Sequence, residues 1–259
     1  MYWERMTAPE LNALDRNVPL VLSVAAVEQH GPHLASGTDS IIGAHFLQAL
    51  EAARPDGVVV LPQVKVGCSE HHMDLGGTLS VSHAVFIDYV CELAGSALRH
   101  GFRNLVILNS HGGNIAAAGV IGERLGLAFP ACRVTVATWW RLAAEGLLPI
   151  NLGGPGSVGH ACEFETSVVM CAAPGEVRGD RIPERGGAAT FPWAEGDLLR
   201  GSPAVLVRTM AEMTGGTGVL GTPALASPDH GERITGVVVD ALTSVVDTLF
   251  AAQPKEHVE

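Results

Sequence analysis

Carboxylate and imidazole side chains follow the first strongly apolar run of the chain. Pro19–Val27 (PLVLSVAAV) leads directly into Glu28 and His30, and Asp39 comes shortly afterwards. Glu28 and His30 are two residues apart, so in extended backbone both side chains point to one side. Divalent transition metals such as Zn, Mn and Fe prefer ligands of these types. The group predicts a metal site; the alternative is a polar loop in which Asp39 caps a helix.

A second candidate ligand follows another apolar run. Leu105–Leu108 (LVIL) is followed by an Asn-Ser-His-Gly-Gly-Asn turn that contains His111 and Gly112. Its two glycines permit a tight turn and close approach of the backbone to a ligand. A phosphate-binding turn is disfavoured, because the GxGxxG pattern and the P-loop lysine are both missing. We therefore expect His111 to bind metal and Gly112 to border the substrate.

A third group combines an imidazole with two carboxylates. His160 precedes Glu163 and Glu165 in the stretch His-Ala-Cys-Glu-Phe-Glu. If a helix begins near Cys162, both glutamates lie in its first turn, where negative charge is favoured. Taken alone, the stretch is typical of an ordinary charged helix start. Beside the other two groups it is more readily explained as part of a site.

Two further residues are candidates for substrate contact. His72 lies in a loop rich in polar residues and glycine, where a surface position is the alternative. Trp140 follows a predicted strand end and is assigned to the pocket wall, with a core or subunit-interface role as the alternative.

The elements that must position these residues alternate along the chain. Short apolar runs predict buried parallel strands at Pro19–Val27, Gly57–Pro62, Leu105–Leu108 and Val134–Thr138. Helical spacing and capping residues predict helices at Asp39–Ala53, Ser82–His100, Ile115–Leu127, Phe164–Ala173 and Ile234–Ala252. The Gly/Pro-rich stretch 174–228 predicts long loops, with a short hairpin over the site. This alternation is typical of an α/β fold: one three-layer domain with a mostly parallel sheet and helices on both faces.

Composition excludes several classes of partner. The net charge is −11, from 27 acidic and 16 basic residues, and no Lys/Arg cluster is present, so we expect no nucleic acid partner. Five cysteines without CxxC spacing indicate reduced thiols in a reducing compartment. Met1–Asp15 lacks the apolar core of a signal peptide, and no apolar stretch reaches about 18 residues. We expect a cytoplasmic protein with no membrane partner.

Together these motifs resemble the creatininase family of metal-dependent amidohydrolases. The matching pieces occur in family order and cover nearly the whole chain: Glu28–Leu34 with Asp39, Gly76–Ser80, Asn109–Asn114, His160–Ser167 and Gly218–Pro223. The resemblance implies a single domain over residues 1–259. It also implies a centre with two divalent ions per chain, and a ring-shaped homo-oligomer that is usually a hexamer.

The resemblance further implies a role for each ligand. Glu28 and His111 would hold one metal, His30 would hold the other, and Asp39 would bridge them. In creatininase proper, a further ligand is a glutamate two residues after the histidine that matches His111.

This chain has Gly113 at that position, so another carboxylate must complete the set. Our choice for the fifth ligand is Glu163, with Glu165 as the runner-up.

The implied activity is hydrolysis of a non-peptide C–N bond in a small cyclic amide or formamide by a metal-activated water. His160 would move the proton to the leaving nitrogen, and Glu165 would orient it or act as base. Creatinine is disfavoured, because Gly112 and Gly156–Gly159 replace the Tyr and the Trp-Asp pair of creatininase proper. The alternatives are a peptidase that trims a ribosomally made cofactor precursor, a non-hydrolytic Fe or Mn enzyme, and a non-catalytic metal-binding protein.

Overall fold

A four-stranded parallel sheet forms the centre of the molecule. The computed structural model describes residues 1–253. The strands stand in the order β2-β1-β3-β4, and neighbouring strands are parallel. Their bounds are Leu20–Val24 (β1), Val59–Val60 (β2), Asn104–Asn109 (β3) and Arg133–Thr138 (β4).

Helices connect and cover these strands. The α-helices are Ala8–Ala13 (α1), Thr38–Ala53 (α2), His83–Leu98 (α3), Ile115–Ala128 (α4), Trp139–Leu142 (α5), Ala144–Leu147 (α6), Glu163–Ala172 (α7), Met210–Thr214 (α8) and Pro228–Ala251 (α9). Short 3-10 turns lie between them, including Glu70–Leu75 and Gly112–Asn114.

The sheet is buried on both faces, as its continuous apolar strands predict. Along β1, Val21 packs into a core shared with α2, α7 and α9. Leu20 and Leu22 point the other way, into a core shared with α3 and α4. The side chains of successive strand residues thus pack against opposite helical layers. The predicted three-layer α/β fold is confirmed.

Several boundaries differ from the predicted ones. The run at 57–62 pairs only through Val59–Val60, since Pro62 has no N–H for a ladder bond. Helix α9 begins at Pro228, six residues before the predicted start, because the Ser227 side chain accepts a bond from the His230 N–H and Pro228 suits the first helical position. The hairpin predicted within 174–228 is reduced to isolated antiparallel bridges such as Asp197–Gly201.

Helix α9 is long and apolar enough to cross a membrane, judged by length and composition alone. Its buried residues Ile234, Val238, Leu242 and Val246 recur every four positions and pack into the core. This spacing is that of an amphipathic helix with one face on the core. The five cysteines, all within the described residues, form no disulfide, as their spacing predicts.

The topology brings the ends of two strands together. Strands β1 and β3 are neighbours, and Val24 at the end of β1 is in register with Asn109 at the end of β3. The segments that follow both strands leave the same edge of the sheet. Ligand sites of open α/β sheets lie at this edge.

Candidate metal centre

Five buried ligand-type side chains converge beyond this edge. Glu28 and His30 follow β1, and His111 follows β3 directly. Asp39 lies in the first turn of α2, and Glu165 in the first turn of α7. Each of the five is at most 4% exposed. Four separate elements therefore supply one enclosed cluster, and four of its residues belong to the predicted metal ligands.

The Asp39 carboxylate lies between two imidazoles. Its Oδ1 atom is 3.4 Å from Nε2 of His30, and its Oδ2 atom is 3.2 Å from Nδ1 of His111. Glu28 Oε1 lies 3.2 Å from the same His111 nitrogen, and Glu165 Oε2 lies 3.9 Å from His30 Nε2. The cluster thus has two halves, and Asp39 faces both.

Hydrogen bonds at the outer nitrogens orient both imidazoles. Nδ1 of His30 lies 3.2 Å from the Glu28 carbonyl. Nε2 of His111 lies 3.1 Å from the Cys68 carbonyl and 3.2 Å from the Ser69 hydroxyl. A carbonyl only accepts, so these outer nitrogens carry the protons. The inner nitrogens face the cluster, as they do in metal-binding histidines.

The donor set fits divalent cations. The buried atoms Glu28 Oε2, His30 Nε2, Asp39 Oδ2 and Glu165 Oε2 have no hydrogen-bond partner. Leaving carboxylate oxygens buried and unpaired costs several kcal/mol each, roughly. A cation compensates this charge, and mixed carboxylate and imidazole ligands suit Zn, Mn or Fe.

Burial and the neighbouring charges shift the pKa values of the side chains in the cluster. Burial opposes the His30 imidazolium, but the nearby carboxylates of Asp39, Glu165 and Glu28 outweigh it and raise the pKa of His30 to about 9. The same balance raises the pKa of His111 well above its ordinary value. Burial raises the pKa of Glu165 to about 7, against the opposing effect of His30. Positive charge is therefore strongly favoured at the inner imidazole nitrogens.

Glu163 is not part of this cluster, and our choice of it as fifth ligand is corrected. Its carboxylate lies 2.9 Å from His230 Nε2 and accepts the N–H groups of Leu152 and Gly153 at 3.0 and 3.1 Å. Residues two apart at a helix start are about 200° apart around its axis. Glu165 therefore faces the cluster, while Glu163 faces α9 and the 152–153 loop.

The packing at Gly113 leaves no room for a carboxylate in the turn after β3. A Cβ atom there would overlap the Cys68 carbonyl and the His111 ring. No side chain fits, so a glutamate at this point of the turn is sterically excluded. A Cβ at Gly112 would meet nothing within 4 Å. Gly112 is exposed and borders open space, and its role beside the substrate stays a prediction.

His160 and His72 complete the polar surroundings of Glu28. His160 Nδ1 is 3.6 Å from Glu28 Oε1, and the His160 ring lies 4.1 Å from the His30 ring. His72 Nε2 is 3.3 Å from the same oxygen, and the residue is only 2% exposed. The surface alternative for His72 is therefore wrong. Burial lowers the pKa of both histidines, which keeps them neutral.

Ligand-type atoms within 4.8 Å of one another form three overlapping groups in the described residues: Glu28, Asp39 and His111; His30, His160 and Glu165; Glu28, His72 and His160. The first two divide the cluster into its two halves. The third shares Glu28 with the first.

Trp140 does not line the surface beside this cluster. It is 1% exposed and packs edge-on against Trp139 in the hydrophobic core, with ring centroids 5.4 Å apart. The assignment to the pocket wall is corrected in favour of the core alternative. An aromatic pair after a strand end has the same sequence pattern whether it lines a pocket or packs in the core.

Two polar residues of the surroundings had no assigned role. Gln29 lies between two predicted ligands, and its amide nitrogen is 3.1 Å from both His72 Nδ1 and His160 Nε2. Its position inside the motif was a usable signal. His230 pairs with Glu163 across 67 residues of chain, and nothing local marks it.

The comparisons with known proteins identify the family of the chain. The family model described as Creatininase, creatinine amidohydrolase, matches residues 4–246. The chain belongs to the creatininase family of hydrolases. The match covers every side chain of the cluster.

Several relatives of this creatininase-family chain differ in activity. Mycofactocin precursor peptide peptidase of Mycolicibacterium smegmatis is 30% identical over 235 residues, 86% of this chain and 82% of that protein. Creatinine amidohydrolase of Pseudomonas putida is 28% identical over 248 residues, 89% of each chain. A solved manganese creatininase superposes with a TM-score of 0.80 at 23% identity over 97% of this chain and 99% of its own, which shows the shared fold.

Proposed function

We propose that the protein is a binuclear metal-dependent amidohydrolase that cleaves a C–N bond in a small cyclic amide or formamide. The observation that carries this proposal is the Asp39 carboxylate, whose two oxygens face two different imidazoles among unpaired buried carboxylates. A carboxylate so placed is suited to bridge two cations. The solved structures of similar fold include a manganese creatininase and a creatininase mutant of Zn-Zn type.

The ligands divide between two divalent ions of Zn, Mn or Fe. Glu28, His111 and Asp39 would hold one ion, and His30, Glu165 and Asp39 would hold the other. When bound, these ions supply polarisation of the amide carbonyl and activation of the attacking water. Glu165 acts as a ligand in this assignment, and the alternative in which it serves as base is set aside.

His160 moves the proton. Its Nε2 atom lies 2.7 Å from the Gln29 carbonyl, which only accepts, so the proton stays on Nε2 and Nδ1 faces the cluster with a free lone pair. Burial lowers the pKa of His160, so the neutral base is present at neutral pH. This nitrogen accepts the proton of the attacking water and delivers it to the leaving nitrogen.

The site favours a small or narrow substrate. Every ligand is nearly inaccessible, and Gly112 leaves the open space beside His111. The similarity to mycofactocin precursor peptide peptidases supports a second candidate, removal of residues from a ribosomally made precursor peptide. Both candidates use the same ligands and differ only in the substrate.

The test is metal content of protein purified without added metal, paired with cleavage of formamides, cyclic amides and short peptides. We expect about two ions per chain and chelator-reversible cleavage of one substrate class. Peptide cleavage alone would favour the second candidate. Folded protein without metal, which gains no activity on metal addition, would contradict both.

Replacement of the bridging residue tests the binuclear assignment. Asp39→Ala should remove the shared ligand, release both ions and abolish hydrolysis without unfolding the core. Asp240→Ala, an exposed carboxylate on α9, is the matched control and should change neither metal content nor rate. Full activity of Asp39→Ala with two ions bound would refute the bridging role.

Assembly and location stay predictions. A ring-shaped homo-oligomer, with six copies as the expected number, is tested by light scattering of the purified protein. A cytoplasmic location is tested by fractionation of the source cells.

A further inference from the structure

We infer that Gln29 is a positioning residue that sets the tautomers of His72 and His160. Both rings carry the proton on Nε2, so that His72 donates a hydrogen bond to Glu28 while His160 presents its unprotonated Nδ1 to the cluster. The consequence for catalysis rests on the proposed function. The hydrogen-bond geometry itself does not.

The Gln29 side chain is held in one orientation. It is 9% exposed, and its Oε1 atom accepts the Gly31 N–H at 3.0 Å. Gly218, with φ of +70°, lies directly behind Oε1, and a Cβ there would overlap that oxygen. The amide therefore cannot rotate without losing the Gly31 bond. Its NH2 group points towards the two histidines.

The main chain of Gln29 sets His160. His160 Nε2 lies 2.7 Å from the Gln29 carbonyl, which only accepts, so this nitrogen must be the donor. Its 3.1 Å approach to the Gln29 amide nitrogen, which also only donates, is therefore not a hydrogen bond. A neutral imidazole carries a single N–H. Nδ1 of His160 is therefore unprotonated, and it lies 3.6 Å from Glu28 Oε1.

The side chain of Gln29 sets the tautomer of His72. The amide nitrogen lies 3.1 Å from His72 Nδ1 and only donates, so Nδ1 must accept. The single N–H of neutral His72 is then on Nε2, 3.3 Å from Glu28 Oε1. His72 Nε2–H donates to the Glu28 carboxylate and holds it in place.

This assignment distinguishes the third ligand-type group from the other two. Glu28, His72 and His160 lie close enough together to suggest a cation site. A protonated His72 Nε2 has no lone pair to bind a cation, so this group is a hydrogen-bonded support. The role also accounts for the glycine at position 218, where a Cβ would overlap the Gln29 Oε1 atom.

The experiment is ¹⁵N NMR of the histidine rings in zinc-loaded protein, with signals assigned by the loss of peaks in His72→Gln and His160→Gln. In the wild-type protein we expect protonated Nε2 and unprotonated Nδ1 in both histidines. Protonated Nδ1 in wild-type His72 would overturn the inference, and this measurement needs no variant to fold.

Gln29→Glu replaces the donor by an acceptor. We expect the proton of His72 to move to Nδ1, while His160, bonded to the backbone, stays unchanged. Gln63→Glu is the matched control, since its amide also donates to Ser23 Oγ and the Ser40 carbonyl at 3.1 and 3.0 Å but contacts no imidazole. An unchanged His72 in folded Gln29→Glu would contradict the inference.

Activity separates this inference from the proposed function. If an amide substrate is cleaved, Gln29→Glu should lower kcat by about 10- to 100-fold with little change in KM, the usual effect of losing a residue that orients the ligand shell. If no amide is cleaved, the tautomers are still measured. The proposed function can thus fail while the role of Gln29 stands, and the reverse also holds.

Discussion

Two glutamates in the first turn of α7 have unrelated contacts, although a single residue separates them. Glu165 faces the cluster with an unpaired oxygen, whereas both oxygens of Glu163 are engaged by His230 and the 152–153 backbone. The direction of each side chain follows from the point at which the helix begins. A shift of one residue in the start of α7 would alter both assignments.

Glutamine substitutions separate the two roles. Glu165→Gln should lower the metal content towards one ion per chain and abolish activity, because a neutral amide is a poor ligand. Glu163→Gln should keep both ions and weaken the contact with His230, lowering the free energy of unfolding by about 1–3 kcal/mol. Metal analysis and thermal denaturation of both variants measure this. Loss of an ion from Glu163→Gln alone would reverse the assignment.

His160 is predicted to move a proton, although it also lies within ligand distance of His30 and Glu165. His160→Asn should keep two ions per chain and lower kcat by about 10²- to 10⁴-fold, the usual contribution of a general acid–base. Metal content and steady-state kinetics check this. A variant that binds one ion would show that His160 is a ligand.

At the scale of elements, the turn between β3 and α4 positions His111 both by packing and by hydrogen bonds. Its glycine at 113 lies against the Cys68 carbonyl and the His111 ring. Asn109 supports the turn: its amide donates to the His111 carbonyl at 2.7 Å, and its oxygen accepts the His111 N–H at 3.1 Å. The ligand is therefore fixed at both its backbone and its ring.

A methyl group added at this turn tests the packing. Gly113→Ala should displace the His111 ring, lower metal affinity and destabilise the fold by about 1–3 kcal/mol, as overpacking does. Gly119→Ala on α4 is the control, because a Cβ there meets nothing within 4 Å and alanine favours a helix. Equal behaviour of the two variants in metal titration and thermal denaturation would contradict the steric argument.

At the scale of the whole molecule, the cluster joins elements from distant parts of the chain. Ligands from both strand ends, α2 and α7 meet where three carboxylates are buried together. Without cations these charges repel one another. Bound ions should therefore stabilise the entire fold.

Removal of metal measures that coupling. Chelator treatment should lower Tm, since a ligand at 100 times its Kd stabilises the folded state by about 2.7 kcal/mol. Asp39→Ala should show almost no response to chelator, because its ions are already lost. Calorimetry measures Tm for the wild-type protein and for Asp39→Ala. An equal fall in both would show that the chelator does not act through the ions at this cluster.

The sequence by itself determined the fold class and most of the cluster. Apolar runs of strand length specify a sheet buried on both sides, and polar residues directly after β1 and β3 have to meet at its edge. Glu28, His30 and His111 follow from that rule, and Asp39 from its place at the start of the next helix. The order of residues along the chain is enough to predict that these four side chains meet, because each lies close to a strand end or a helix start.

Only the tertiary structure decided the remaining roles. Pattern locates a helix start to within one or two residues, while the choice between Glu163 and Glu165 depends on that start. The positions of His72 and Trp140 depend on how a loop and a short helix pack, which periodicity does not record. The contacts of Gln29 with His160 and of Glu163 with His230 span 131 and 67 residues, so folding alone brings the partners together.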